Sequence, residues 1–257
     1  MVATDDKNLV GAERVLSVLI ALAEEPDGLS LDELTRRIGS AKPTVHRALA
    51  SLRKLGLANQ LGRGTYVLGD EFVRLAYLHQ GRRSSVARVE PFLEALTREF
   101  GETSHFAILD GDEVVYQAKS DPVEGAIRLT STIGGRNPAR RTAVGKLLLA
   151  YRYPEKQSAL EWVMTQTLTA KTAKTITDPD ALVDTLIAAH EHGFAVDDQE
   201  NETGVNCVAL PIFLDSPHEP TGAVSVSGLS FRTPLSRLVE SIPQIRTLAA
   251  EFDIRTR

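Results

Sequence analysis

Between Leu34 and Gly69 there are seven cations and no carboxylate. Arg36, Arg37, Lys42, Arg47, Arg53, Lys54 and Arg63 give this window a charge of +7, which leaves −12 on the rest of a 257-residue chain whose net charge is −5. A basic segment on an acidic body is the charge pattern of a surface for a polyanion, although a solvated helix face depleted of acids by chance gives the same count. Three other groupings invite a catalytic or ligand reading, and each falls short. Gly145-Lys146 lacks the glycine at 140 and the hydroxyl residue at 147 that a phosphate loop needs, since Arg140 and Leu147 stand there. His190 and His192 are two apart in a helical stretch and do not share a face. Cys207 and His105 resemble a nucleophile and its base only by residue type, with no glycine elbow or oxyanion device nearby. With one cysteine the chain has no internal disulfide framework and no cysteine-rich metal spacing. No enzyme, metal site or cofactor is expected.

The elements around the basic window must position its charges. Asn8–Ala23 carries Leu9, Ala12, Leu16, Leu19, Ile20 and Ala23 as one helical stripe. Ser30-Leu31-Asp32-Glu33 reads as a capping box opening a short helix that ends at Gly39. Ser40 then caps a third helix over Ala41–Leu55, with Val45, Ala48, Leu49, Leu52 and Leu55 inward. Two short strands flank Gly62-Arg63-Gly64, a hairpin tip. This is a winged helix-turn-helix whose third helix enters a major groove by its N-terminal half. Ser40, Lys42, Thr44, His46 and Arg47 are the candidate groove contacts. Arg53 and Lys54 are placed for phosphates, and Arg63 for the minor groove or backbone. The alternative is a sensor module whose winged helix docks protein instead of DNA.

Domain boundaries are expected at 1–69 for this reader, 70–84 for a linker helix, and 85–257 for the acidic remainder. In the last, strand-like runs at Thr103–Leu109, Val114–Ala118, Ile127–Leu129, Phe194–Val196, Val205–Phe213 and Ala223–Gly228 interleave with helical ones. The helical runs are Val86–Phe100, Thr142–Tyr151, Pro154–Met164, Pro179–His192 and Leu235–Phe252. Without a strict βαβ repeat, this predicts an α+β fold with a mostly antiparallel sheet. No apolar run approaches the ~20 residues of a membrane span, and the acidic N-terminus does not read as a secretory signal. A cytoplasmic location is expected.

Several stretches stand in an order that resembles the IclR-type transcriptional regulators. They are Lys42-Pro-Thr-Val-His-Arg47, Ser104-His105, Thr142–Ala150, Gly193–Glu200, Gly204–Ala209 and Ser225–Gly228. The resemblance runs from about Leu9 to Phe252. It implies a winged helix, a linker helix and a GAF-like effector-binding domain. It also implies homodimers or tetramers on a near-palindromic operator, more often repressing, with a small organic or aromatic acid as effector. The positions it carries over to the effector site are Ala126, Leu129, Ala143, Val144, Asp197, Val205, Cys207, Ser225 and Ser227. Ala143-Val144 departs from the Gly-Ala of glyoxylate-type members, and Leu129 replaces a methionine. Both departures point away from a glyoxylate-sized ligand.

Overall fold

The computed structural model describes residues 11–62, 64–79, 85–122 and 129–257. Its contacts divide the chain into two compact units, Met1–Arg82 and Arg83–Arg257. The first unit holds α1 (Gly11–Ala23), β1 (Leu29–Ser30), α2 (Leu31–Ile38), α3 (Lys42–Lys54), β2 (Ala58–Leu61), β3 (Thr65–Leu68) and α4 (Asp70–His79). The capping box at Ser30 is formed from both sides. The Glu33 N–H donates to the serine hydroxyl, and the Ser30 N–H donates to the Glu33 carboxylate. Gly39 ends α2 at φ 65°, a left-handed conformation that glycine adopts without a Cβ penalty. Val45, Ala48, Leu49 and Leu52 of α3 pack with Val18, Leu22, Leu34, Ala58 and Tyr66 in one small core. The three strands pair in the order β1-β3-β2, all antiparallel, which sets the wing beside α3.

The second unit is built on a sheet of order β6-β5-β4-β9-β8-β7, antiparallel throughout. In chain order come α5 (Ser85–Phe100), β4 (Thr103–Asp110), β5 (Glu113–Ser120), β6 (Arg136–Pro138), a 3-10 turn at Ala139–Arg141, α6 (Ala143–Arg152), α7 (Lys156–Val163) and α8 (Pro179–His192). There follow β7 (Ala195–Asp198), β8 (Val205–Ile212), β9 (Gly222–Leu229), α9 (Leu235–Glu240) and α10 (Ile242–Glu251). Both sheet faces are covered, which is why β9 is buried along nearly its whole length and β4 from Thr103 to Ala107. On one face Phe106, Val208, Leu210, Val224 and Val226 meet Phe92, Leu93 and Leu96 of α5 with Ile242 and Ile245 of α10. On the other, Ala107, Ala209 and Ala223 leave shallow ground for Leu147 of α6, and α8 packs there through Leu182 and Leu186. Alternation at period two sends neighbours along each strand to opposite layers. The fold is α+β. No described helix is long and apolar enough to cross a membrane.

Five expectations need correction. The α1 stripe is out of phase: Leu16 and Ile20 are 57% and 50% exposed, while Val18, Ala21 and Leu22 are buried. The helix is apolar at nearly every position from Val15 to Leu22, so periodicity alone could not choose the face. Ser40 does not cap α3. The N-cap is Ala41 without a side-chain bond, and the Ser40 hydroxyl instead accepts from Arg14 Nε at 3.0 Å. At the other end Leu55 is 64% exposed, outside the core stripe. In the second unit, the strand beside β5 is Arg136–Pro138, outside every strand-like run the sequence offered, and Leu129 lies in no strand; Ile127 lies outside the described residues. The last helix is broken between Glu240 and Ile242: Pro243 has no N–H to continue the i→i−4 ladder to the Val239 carbonyl, and its ring crowds that carbonyl, so a new helix starts with the proline in its first turn.

Candidate functional site

Two places concentrate polar chemistry. The first is the outer face of α3. Lys42, His46, Arg47, Ala50, Arg53 and Lys54 are exposed there, opposite the buried stripe. Pro43, His46, Arg47, Ala50 and Lys54 follow helical spacing along one side. Thr44 is half-buried, and its hydroxyl sits 3.5 Å from Arg47 Nη2. The charge of this surface is smaller than the window suggested. Lys42 pairs with Asp32 at 2.6 Å, and Arg37 pairs with Glu24 and with Glu25. These acids lie just before the basic window in sequence, so a linear count misses them. Arg47, Arg53 and Lys54 form no ion pair among the described residues. Arg63 lies outside the described residues.

The second place is a cavity of about 250 Å³ between the sheet and the start of α6. Cross-strand register builds its floor. Asp197, Cys207 and Ser227 are direct partners across β7, β8 and β9; Ala209, Ser225 and His105 are partners across β8, β9 and β4. Partners in antiparallel pairs share a face, so these two rows lie side by side. Tyr116 joins them from β5 through a register shift between Phe106 and Ala107. The roof is the first turn of α6. Thr142 caps it by accepting the Gly145 N–H at 3.1 Å, and helix geometry leaves the N–H groups of Ala143 and Val144 without partners inside the helix. A Cβ on Gly145 would stand 2.2 Å from the Ala139 carbonyl oxygen, so only glycine lets the 3-10 turn pass this close. Lys119 ties down the side wall, its ammonium donating to the carbonyls of Leu129 and Ser131 at 2.9 Å each.

Helix-turn-helix, wing, and capped helix over a polar sheet are now in view, and the comparisons with known proteins agree with them. Residues 11–62 match the IclR helix-turn-helix domain, and residues 78–254 match the bacterial transcriptional regulator IclR C-terminal domain. The chain belongs to the IclR family. Family members are DNA-binding transcriptional regulators and not enzymes. The chain is 33% identical over 241 residues to the Escherichia coli regulator KdgR, covering 93% of this chain and 89% of that one. It is 30% identical over 232 residues to the Escherichia coli transcriptional repressor IclR, covering 88% and 81%. Its fold is shared with an IclR homologue from Microbacterium hydrocarbonoxydans crystallised in complex with 4-hydroxybenzoate. The TM-score is 0.79 at 22% identity, covering 94% of this chain and all of that one.

In this IclR-family chain, Leu129, Ala143, Val144, Asp197, Val205, Cys207, Ser225 and Ser227 all line the one cavity. Ala126 lies outside the described residues. Sequence reasoning missed His105, Tyr116, Asn137 and the Thr130–Thr132 stretch, which line it too. The signal for His105 was its period-two placement with Thr103 and Ala107 on β4, useful only once the register is known. His105 holds the wall together: its Nε2 lies 2.7 Å from the Ser131 hydroxyl, and its Nδ1 lies 3.4 Å from that of Ser225. Burial, helped by the nearby Lys119 charge, pushes its pKa down to about 3, so the ring is neutral at physiological pH. Burial has the opposite effect on Asp197, raising its pKa to about 7 against the backbone N–H of Glu200 that favours the charged form. The Cys207 thiol is pushed up by burial and then by Asp197, so it is no nucleophile. Behind α6's first turn, Lys146 and Glu200 form a buried ion pair.

Proposed function

We propose that the protein is a cytoplasmic repressor that works as a homodimer or tetramer and whose grip on a near-palindromic operator is set by a small organic acid. The observation that carries this reading is the convergence of donors on one cavity. Unpaired N–H groups at the start of α6 meet the hydroxyls of Ser225 and Ser227, which suits a carboxylate. On the DNA side, Arg47 takes a guanine edge, with Lys42, Thr44, His46 and Ser40 around it. Arg53, Lys54 and the wing's Arg63 hold phosphates or the minor groove. Two-fold pairing of readers calls for two half-sites. The 70–84 segment, which opens with α4 (Asp70–His79), is the linker through which the state of the 85–257 domain reaches the 1–69 reader. An acid acts only through its different affinity for the two states of the protein, with a coupling of ~1–3 kcal/mol.

Fluorescence anisotropy of the full chain on labelled DNA from upstream of its own gene tests this reading, at two salt concentrations and with a panel of organic acids. Specific retention over scrambled DNA is expected, together with a roughly 5–150-fold shift in Kd by at least one acid. Equal binding to scrambled DNA at both salts, or no shift with any acid, rejects it.

A further inference from the structure

The second unit carries a surface feature that its cavity does not explain. Phe231, in the turn between β9 and α9, is 78% exposed, more than any other large apolar side chain among the described residues. The turn itself is fixed from beneath. The N–H groups of Arg232 and Thr233 both donate to the Leu229 carbonyl, at 2.9 and 2.7 Å, and the Ser230 N–H donates to the Gly204 carbonyl at 2.7 Å. Arg232 donates to the Glu102 carboxylate through Nε at 2.9 Å and Nη2 at 2.6 Å, and the Thr233 hydroxyl donates to the same carboxylate. Asn206 Nδ2 donates to the Thr233 carbonyl at 3.1 Å. Glu102, Asn206 and Thr233 are buried. A buried polar network thus holds a turn whose tip is an aromatic ring in water. A ring already fixed loses little freedom when it is covered, which suits an interface anchor.

Beside the turn lies a hollow of about 320 Å³ between the end of α5 and the corner of α9 and α10, and Thr233 is part of its wall. Its inner residues are the buried Leu238 and the half-buried Phe100. Its outer ones are Glu99, Arg237, Glu240 and Gln244, all exposed. Arg237 and Glu240 stand three apart on α9, a spacing at which opposite charges can meet on a helix. Yet neither side chain makes an ion pair or hydrogen bond among the described residues. One face therefore combines an aromatic knob, a hollow with an apolar base, and two unused charges of opposite sign.

We propose that this face is an interface between two copies of the chain, with Phe231 of each copy seated in the hollow of the other and Arg237 of each paired with Glu240 of the other. This step rests on the reading that the protein works as an assembly, and it names a surface that assembles it. A two-fold contact requires a face that complements itself, so that residue i meets j while j meets i. Two α9 helices crossing antiparallel at the axis set Arg237 against Glu240 of the second copy twice over. The hollow has room for the ring, since ~150 Å³ is enough to hold benzene. A different protein would have to offer a knob, a hollow and both charges in matching order, whereas a second copy has them by construction.

Sedimentation equilibrium of the full chain over a range of concentrations tests this, with circular dichroism to check the fold of each variant. The three side chains to be changed are exposed, so the core is left intact. Phe231→Asp should raise the dissociation constant of the largest assembly ~30-fold or more. Arg237→Glu and Glu240→Arg should each raise it about ten-fold or more, because each sets like charges against one another at both ends of the contact. Mixed in equal amounts, those last two variants should assemble with nearly the affinity of the parent, since every altered charge then meets its opposite. A rescue of that kind cannot arise within one chain. Unchanged assembly in all three variants, or a mixture that stays apart, overturns the α9 interface and leaves the assembled-repressor reading intact. A parent chain that is monomeric at every concentration overturns both.

Discussion

On α3 the chemically important side chains point into solvent and their carbon stems rest on a small core. In the second unit the corresponding groups sit inside the fold, on a sheet buried from both sides. A charge on the open face is changed without disturbing what lies beneath it. A polar group in the closed site is also part of the wall: His105 bonds to Ser131, and the Asp197 carboxylate holds the Glu200 N–H. The open face is built to lose water only when a partner arrives. In the second unit the fold itself takes ionisable groups out of bulk solvent, and that burial is why His105 and Asp197 carry displaced pKa values.

The largest expected effect tests whether the closed site depends on the layer behind it. Phe106 is fully buried on the α5 side of β4, with His105 next to it on the cavity side. Phe106→Ala removes a large core side chain, and substitutions of that kind destabilise by ~3–5 kcal/mol. Urea unfolding followed by the fluorescence of Trp162, which lies in this unit, should show it. Lys54→Ala on α3 should change the first unit's stability by no more than about 0.5 kcal/mol, followed by far-UV circular dichroism because the single tryptophan lies in the other unit. Similar losses for the two would erase the contrast.

Next come two pH profiles of opposite sign. The folded-state pKa of His105 is about 3, against 6.5 for the free side chain. Above pH 6.5 both states are neutral at this residue and nothing is lost. As pH falls below 6.5, the unfolded chain takes a proton that the folded one refuses, and stability drops by up to about 1.4 kcal/mol per pH unit until pH ~3. His105→Gln should therefore gain on the parent progressively through that window. Asp197 runs the other way, with a folded pKa of about 7 against 3.8. Below about pH 4 both states are protonated. As pH climbs toward 7 the folded state holds the proton that the unfolded state releases, so stability falls and then levels off. Asp197→Asn keeps the acceptor for Glu200 and should gain between pH 4 and 7, with a flat difference above. Difference profiles in Tm that rise in the same direction would contradict the burial of one of the two groups.

Arg47 brings the comparison to the open face. Arg47→Ala should remove ~1–3 kcal/mol of specific operator affinity and relax preference at one base position. Arg53→Ala should weaken all DNA alike and reduce the salt slope by about one. Anisotropy titrations on matched and mismatched sites at several salt concentrations separate the two. Identical behaviour would mean that neither residue reads a base.

The two regions also differed in how far the sequence disclosed them. The reader is local. Its capping box, its glycine stop and its inward stripe at Val45, Ala48, Leu49 and Leu52 lie within one or two turns of one another, so spacing suffices. It misled where a helix was apolar nearly all round, as in α1, and where something outside the segment intervened, as when Glu24, Glu25 and Asp32 neutralised Arg37 and Lys42. The cavity is non-local. Ser225 meets His105 from 120 positions away, and no spacing rule ranks that pair above any other. Its residues came into view through family resemblance, motif by motif. His105, Tyr116 and Asn137 were passed over because only the register brings them to the same wall. β6 was hidden for a similar reason: three residues ending in Pro138 look like loop until β5 is there to pair with them.

The smallest effect sharpens the same point with two serines ten residues apart. Both Ser30 and Ser40 precede a helix, and both are good caps by residue type. Ser30 is a cap in fact, held from both sides by Glu33, and this bond, made by both the backbone and the hydroxyl of Ser30, lowers the Glu33 pKa. Ser40 instead accepts from Arg14 of α1 and stands one position before the N-cap, Ala41, whose side chain has no acceptor to offer. Ser30→Ala should destabilise the reader by ~1 kcal/mol, from the lost cap. Ser40→Ala should remove only one half-exposed hydrogen bond, ~0.5 kcal/mol. Ser30→Ala should also raise the Glu33 pKa toward its ordinary value, which an NMR titration of the carboxylate would detect. If Ser40→Ala proved the more damaging of the two, the Arg14 contact would be holding α1 against the turn before α3, and the open face would owe more to tertiary packing than to its own helix.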